Sequence, residues 1–169
     1  AVTGASGFIG RYLCRALEQD GYHVLHLGRS ASEAKGARQT DYSLASLKTA
    51  LAGADALVNL AGARMTREAS PTDLAPFWQP NVEAIHNLVE AARAVGISRI
   101  VQASTIAIYA PPSGLPYQES APAHPINAYA LSKKMAEDYL EMLTRSADPS
   151  TISLRFAAIY GYGEKGTPA

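Results

Sequence analysis

The feature that most constrains this chain is the spacing of its first three glycines. Residues 3–10 read Thr-Gly-Ala-Ser-Gly-Phe-Ile-Gly, with Gly4, Gly7 and Gly10 three apart. Val2 and Thr3 have the character of a strand tail, and Phe8, Ile9, Leu13 and Leu17 then recur at helical spacing. The glycines therefore fall at a strand-to-helix turn. There Gly4 can adopt the angles of a tight turn, Gly7 can bring backbone close to an anion, and Gly10 can let the helix pack closely. The helix N-terminus offers unpaired N–H groups and a partial positive charge, so the turn is suited to a pyrophosphate. The spacing is G-x-x-G-x-x-G rather than the commoner G-x-G-x-x-G.

The rest of the chain alternates strands and helices. Residues 22–27, 56–60, 99–103 and 151–156 are short apolar runs read as strands. Residues 43–52, 81–95 and 127–145 carry apolar side chains at helical spacing. Residues 28–36 form a polar loop, residues 62–80 an irregular stretch with three prolines, and residues 111–125 a proline-rich loop. Such alternation predicts an α/β fold of the Rossmann type, a doubly wound parallel sheet with helices on both faces. Ligands of such sheets bind beyond the carboxyl ends of the strands.

A chain of 169 residues suits one domain. Fifteen basic and fifteen acidic residues balance, which gives no pull toward nucleic acid or an anionic membrane. No apolar run approaches the ~20 residues of a membrane span, and no leader is visible. The lone cysteine, Cys14, excludes an internal disulfide and suits a cytoplasmic setting. Residues 165–169 have no closing element, so residues 1–169 are expected to be the N-terminal part of a longer polypeptide, inactive alone.

Tyr129 and Lys133 stand four apart on a predicted helix and share a face. A free phenol has a pKa of about 10 and is a poor base. A neighbouring ammonium would lower it. Tyr129 could then exchange a proton with a substrate oxygen while a hydride moves at the same carbon. Thr105, at a strand end, could hold that oxygen in line.

On these residues the chain resembles the extended short-chain dehydrogenase/reductase family, in its NAD(P)-dependent nucleotide-sugar epimerase/dehydratase group. The resemblance covers essentially all 169 residues. It rests on residues 3–10, Asp41, Asn59 to Gly62, Asn81-Val82, Ser104-Thr105 through Tyr109, Tyr129 to Lys133, and Leu154-Arg-Phe through Tyr160-Gly161. It implies that Thr105, Tyr129 and Lys133 are catalytic, with Lys133 also holding the nicotinamide ribose. It implies that Gly4, Gly7, Phe8, Ile9 and Gly10 form the pyrophosphate turn. Asp41 would meet the adenine, with Tyr42 beside it, and Leu60, Ala61 and Gly62 would run beneath the cofactor. Asn81 would tie helix to sheet. Capping of the following helices explains Asp41 and Asn81 about as well. A smaller substrate domain is expected after residue 169.

Two departures from the family pattern carry weight. Members that use NAD usually place an acidic residue after the second strand, where this chain has Gly28, then Arg29 and Ser30. A carboxylate would repel a 2′-phosphate, and Arg29 could pair with one. NADP(H) is therefore favoured and NAD(H) left open. The 4,6-dehydratases carry Asp-Glu after the catalytic Thr, where this chain has Ile106-Ala107. Dehydration is therefore not expected.

The implied activity is hydride transfer at a carbinol or keto carbon, C4 of a nucleotide-sugar, as an epimerase or a ketoreductase. A reductase of a non-sugar carbonyl and a non-catalytic NADP(H) sensor are the alternatives. The expected partner is a small-molecule substrate, and a homodimer is left open. Arg64 and Arg67, after residues 56–60, read as solvated charges that could also meet a phosphate. The histidines lack metal-ligand spacing, so no metal is expected, and His124 could touch substrate. Phe77 and Trp78 read as packing residues.

Overall fold

The short apolar runs of the sequence form strands of one parallel sheet, whose central strands are largely buried. The structure is a computed structural model that describes residues 1–30, 35–66, 68–109, 116–144 and 149–164. The strands are β1 (Val2–Thr3), β2 (His26–Gly28), β3 (Ala37–Gln39), β4 (Ala56–Asn59), β5 (Arg99–Thr105) and β6 (Ser150–Phe156). All pairs are parallel, in the order β3-β2-β1-β4-β5-β6. This is the Rossmann order, and it reverses direction between β1 and β4, which opens a crevice at their carboxyl ends.

The helices are α1 (Phe8–Gln19), α2 (Leu44–Leu51), α3 (Ala75–Phe77), α4 (Ala84–Val95) and α5 (Ala128–Thr144). Alternate strand residues point to opposite faces, so Leu57 and Val58 serve separate cores. Leu57 joins Leu47, Leu88, Ile100 and Leu140 beneath α2, α4 and α5. Val58 joins Val2, Ala5 and Cys14 beneath α1. Cys14 is buried packing, and its thiol is pushed up by burial first.

Three elements differ from the sequence reading. The second strand forms only at its end, because β1 offers just Val2 and Thr3 to pair with His26 and Leu27. β3 carries no sequence signal, because Ala37, Arg38 and Gln39 have no strand pattern. Its place comes from partners: His26 N–H donates to Gly36 at 2.9 Å and Thr40 N–H to Gly28 at 2.9 Å. Arg38 then donates to the carbonyls of Ala50 and Ala52 at the end of α2, at 3.1 and 2.7 Å. The helix expected from residue 81 is preceded by a π-turn, Trp78–Glu83, continuous with α3 and α4. Pro80 supplies no N–H to an ordinary helical ladder, which favours the wider turn. Phe77 is buried as expected, but Trp78, the first residue of the π-turn, is 48% exposed. Part of the proline-rich loop, Arg67, Arg145 and the 165–169 tail lie outside the described residues.

Candidate active site

The glycine turn forms where β1 hands over to α1. Gly4 has φ +66°, and a Cβ there would meet the Ala61 nitrogen at 2.9 Å, so the turn lies directly against the end of β4. Gly7 N–H donates to the Gly4 carbonyl at 2.9 Å and closes the turn. Gly7 then caps α1 without any side-chain hydrogen bond, and no acidic residue occupies the first helical turn. The positive end of α1 is therefore open to an anion. Gly10 packs on the turn itself: a Cβ there would meet the Gly4 carbonyl oxygen at 2.2 Å and the Ala5 Cα at 2.8 Å. Both are backbone atoms that cannot yield. Gly10→Ala is expected to destabilise the fold by about 3 kcal/mol, measured by urea unfolding. Gly28→Ala is its control, since a Cβ at Gly28 meets nothing within 4 Å. Equal stability of Gly10→Ala and the parent would refute this account of the turn.

A cleft of about 1040 Å³ runs over the switch point. Gly4, Gly7, Arg29, Asp41, Tyr42, Leu60, Ala61 and Gly62 line it. Phe8, Ile9, Gly10 and Ser30 do not. Phe8 faces elsewhere, because its ring packs edge-on against Tyr12 at 5.5 Å and lies where a Cβ on Gly161 would meet it. Gly10 is buried under the turn, and Ser30 is exposed outside the cleft. The sequence reading missed the opposite wall, where Gln79, Glu83 and Asn87 stand. Their spacing of four was the available signal.

At the adenosine end Asp41 lines the cleft and also accepts the Ser43 N–H at 2.9 Å. Hydrogen bonding from Ser43 holds its carboxyl below the usual range. Ser43, not Asp41, caps α2, accepting the Ser46 N–H at 3.3 Å. Burial raises the Tyr42 phenol, offset by the Thr3 hydroxyl and by nearby Arg29. Arg29 is exposed at the cleft rim beside Gly28.

Past Gly62, and outside the residues that line the cleft, stand Thr105, Tyr129 and Lys133. Thr105 ends β5, and its hydroxyl accepts the Ala107 N–H at 3.1 Å. The Tyr129 ring packs on Phe77, with ring centroids 5.8 Å apart, and the Thr105 hydroxyl acts on its phenol in the lowering direction. Lys133 is 7% exposed and donates to the Ala103 carbonyl at 3.1 Å. Its Nζ lies 3.3 Å from where a Cβ on Gly62 would sit, so it reaches the cleft floor. Asn81 organises this corner. It accepts the Ala63 N–H at 2.8 Å and donates to the Ala63 carbonyl at 3.0 Å and to Ser132 Oγ at 2.9 Å. The capping reading of Asn81 is therefore set aside, since its side chain ties the end of β4 to α5. Ser132 Oγ in turn donates to the Tyr129 carbonyl at 2.7 Å.

The electrostatics differ from the expectation that Lys133 lowers the Tyr129 pKa. Burial raises Tyr129, and hydrogen bonding with Thr105 offsets part of that rise. Burial lowers Lys133 from 10.5 to about 8, and Glu137 pulls it back up. Each group is dominated by its own desolvation. At neutral pH Tyr129 is a phenol, ready to donate a proton. Arg64 and His124 are exposed, and Arg67 lies outside the described residues. No helix among the described residues is long and apolar enough to cross a membrane.

Known proteins fit this geometry. The chain is 31% identical over 175 residues to a ceramide reductase of Caulobacter vibrioides, matching 99% of this chain and 48% of that one. It is 33% identical to the crystal structure of UDP-N-acetylglucosamine 4-epimerase from Bacillus cereus, with a TM-score of 0.89, over 99% of this chain and 56% of that one. It is 29% identical to MoeE5 in complex with UDP-glucose and NAD, with a TM-score of 0.83, over 97% of this chain and 56% of that one. The chain thus spans about half the length of the relatives it matches. The NAD dependent epimerase/dehydratase family matches residues 1–169. With the glycine turn, the switch-point cleft and the Thr105, Tyr129 and Lys133 corner in place, the chain belongs to that family of short-chain dehydrogenase/reductase enzymes, NAD(P)-dependent epimerases and oxidoreductases.

Proposed function

We propose that this chain is the cofactor-binding and proton-transferring part of an enzyme acting at C4 of a nucleotide-sugar, as a 4-epimerase or 4-ketoreductase. The observation that carries the reading is the continuity of the cleft. It begins at Arg29, crosses the uncapped N-terminus of α1, and ends at Gly62 above Lys133. A dinucleotide suits this cradle, because Gly4, Gly7 and Gly62 line it without side chains and the α1 N-terminus opens onto it. Gly4, Gly7 and the α1 N-terminus would hold its pyrophosphate, Asp41 and Tyr42 its adenosine, and Lys133 its second ribose. A bound nicotinamide supplies or accepts a hydride.

The chain's own residues handle the proton. Tyr129, a phenol at neutral pH, donates to a carbonyl oxygen on reduction and takes the proton back on oxidation. Thr105 orients that oxygen through its hydroxyl. Lys133 keeps a positive charge beneath the site below about pH 8. Dehydration is not proposed, because Ile106 and Ala107 follow Thr105 and neither carries a proton. The second reading is reduction of a non-sugar carbonyl, supported by the ceramide reductase relative. The test is to incubate the full-length protein with UDP-sugars and follow C4 inversion or 4-ketone reduction by NMR. Turnover only of non-sugar ketones would replace the first reading with the second.

We also propose NADP(H) as cofactor. Space around Gly28 and the exposed Arg29 at the cleft rim support it. The full-length protein should bind NADPH more tightly than NADH, and Arg29→Ala should weaken NADPH by about tenfold while sparing NADH. Fluorescence titration measures both. Equal affinities in the parent would remove the proposal.

A further inference from the structure

Glu137 lies one helical turn after Lys133 on α5 and is 6% exposed. A carboxylate at that depth needs partners. Arg155, on β6, supplies them. Its Nε donates to Glu137 Oε1 and Oε2 at 3.3 and 3.2 Å, and its Nη2 to Oε2 at 2.9 Å. The opposite edge of the same guanidinium, Nη1, donates to the Tyr109 hydroxyl and, at 3.0 Å, to the Glu119 carbonyl. Its Cζ also lies over the Tyr109 ring, 5.0 Å from the centroid.

Tyr109 anchors the segment that follows Thr105. It stacks on Tyr117, with centroids 4.9 Å apart, and bridges Ala123, while His124 N–H donates to Ile108 at 2.9 Å. One planar side chain thus joins the helix that carries Tyr129 and Lys133 to the loop that flanks Thr105. Only arginine can do this, because its five donors project from both edges of one rigid plane.

We propose that Arg155 is a positioning residue. By holding Glu137 with one edge and Tyr109 and Glu119 with the other, it fixes Tyr109 and residues 117–124 relative to Lys133, and Glu137 is shared between Arg155 and Lys133. The proposal rests on the reading of Lys133 as an active-site cation. It predicts opposite effects from the two partners. Without Glu137, Lys133 loses the charge that favours its ammonium form. Without Arg155, Glu137 is relieved of its competing cation and acts on Lys133 more strongly. Tyr129 precedes Lys133 on α5, Arg155 faces Glu137 from β6, β5 presents the neutral Ala103 carbonyl, and the π-turn presents the neutral Asn81 amide.

The experiment is NMR of lysine side chains in the full-length protein, with Lys133 assigned from the spectrum of Lys133→Met. It does not depend on turnover, so the substrate reading can fail separately. Glu137→Gln is expected to lower the Lys133 midpoint by about one unit, and Arg155→Met to raise it. Arg155→Lys keeps a charge near Glu137 but cannot span both partners. It should leave the midpoint near the parent value and speed amide exchange at Tyr109 and His124 by about tenfold. The proposal is overturned if Glu137→Gln and Arg155→Met shift Lys133 in the same direction, or not at all. It is equally overturned if Arg155→Lys protects those amides as well as arginine does.

Discussion

Replacing Tyr129 by phenylalanine in the full-length enzyme should lower turnover by about 100- to 10,000-fold and leave cofactor affinity within a factor of about two. The ring that packs on Phe77 stays, so the site keeps its shape. What disappears is the phenol hydroxyl, whose proton the mechanism uses. Burial holds that phenol above its ordinary range, so the reductive rate should be flat through neutral pH and fall first as Lys133 loses its charge from about pH 8. Thr105→Ser should be mild and Thr105→Val severe, since the hydroxyl is what faces Tyr129. Steady-state kinetics and cofactor titration check all three variants. A Tyr129→Phe enzyme of near-normal rate would mean that the proton travels elsewhere, and this mechanism would be abandoned.

Replacing Lys133 by methionine should do two opposite things. Turnover should drop and cofactor binding weaken, because the cation beneath Gly62 is gone. The fold should become more stable. Lys133 is buried, and its fall from 10.5 to about 8 corresponds to about 3 kcal/mol of unfavourable charge burial at neutral pH. Methionine removes that cost and loses the hydrogen bond to Ala103, which leaves a gain of about 1–3 kcal/mol. The sign with pH follows from proton counting. Between pH 8 and 10.5 the unfolded chain holds a proton that the folded one has released, so the parent gains stability as pH rises there. The advantage of methionine should be complete below pH 8 and vanish near 10.5. Urea unfolding at pH 7 and in alkali measures it. A variant less stable at neutral pH, or an advantage that ignores pH, would contradict the burial argument. The trade of stability for an active-site charge is the usual one.

Residues that repeat at short range are legible in the amino-acid sequence. Gly4, Gly7 and Gly10 define a strand-to-helix turn because the angles and clearances they permit are local properties. The apolar spacing of residues 81–95 and 127–145 indicates buried helix faces, and the pairing of Tyr129 with Lys133 follows from the helical period alone. Features set by partners distant in sequence are not legible there. β3 exists because His26 and Gly28 present a sheet edge to residues 36–40, whose own sequence has no strand pattern. Asn81 passes for a helix cap until Ala63 and Ser132 are seen on either side of it. The protonation of Tyr129 and Lys133 depends on how much water the fold removes from each, and tertiary packing reverses the expected sign for Tyr129. Arg155 shows the division most clearly. Local pattern dictates a strand with an arginine in it and nothing about that side chain's partners. Packing puts the guanidinium between Glu137 and Tyr109, because β6 pairs with β5 along its whole length and carries the side chain to the middle of α5.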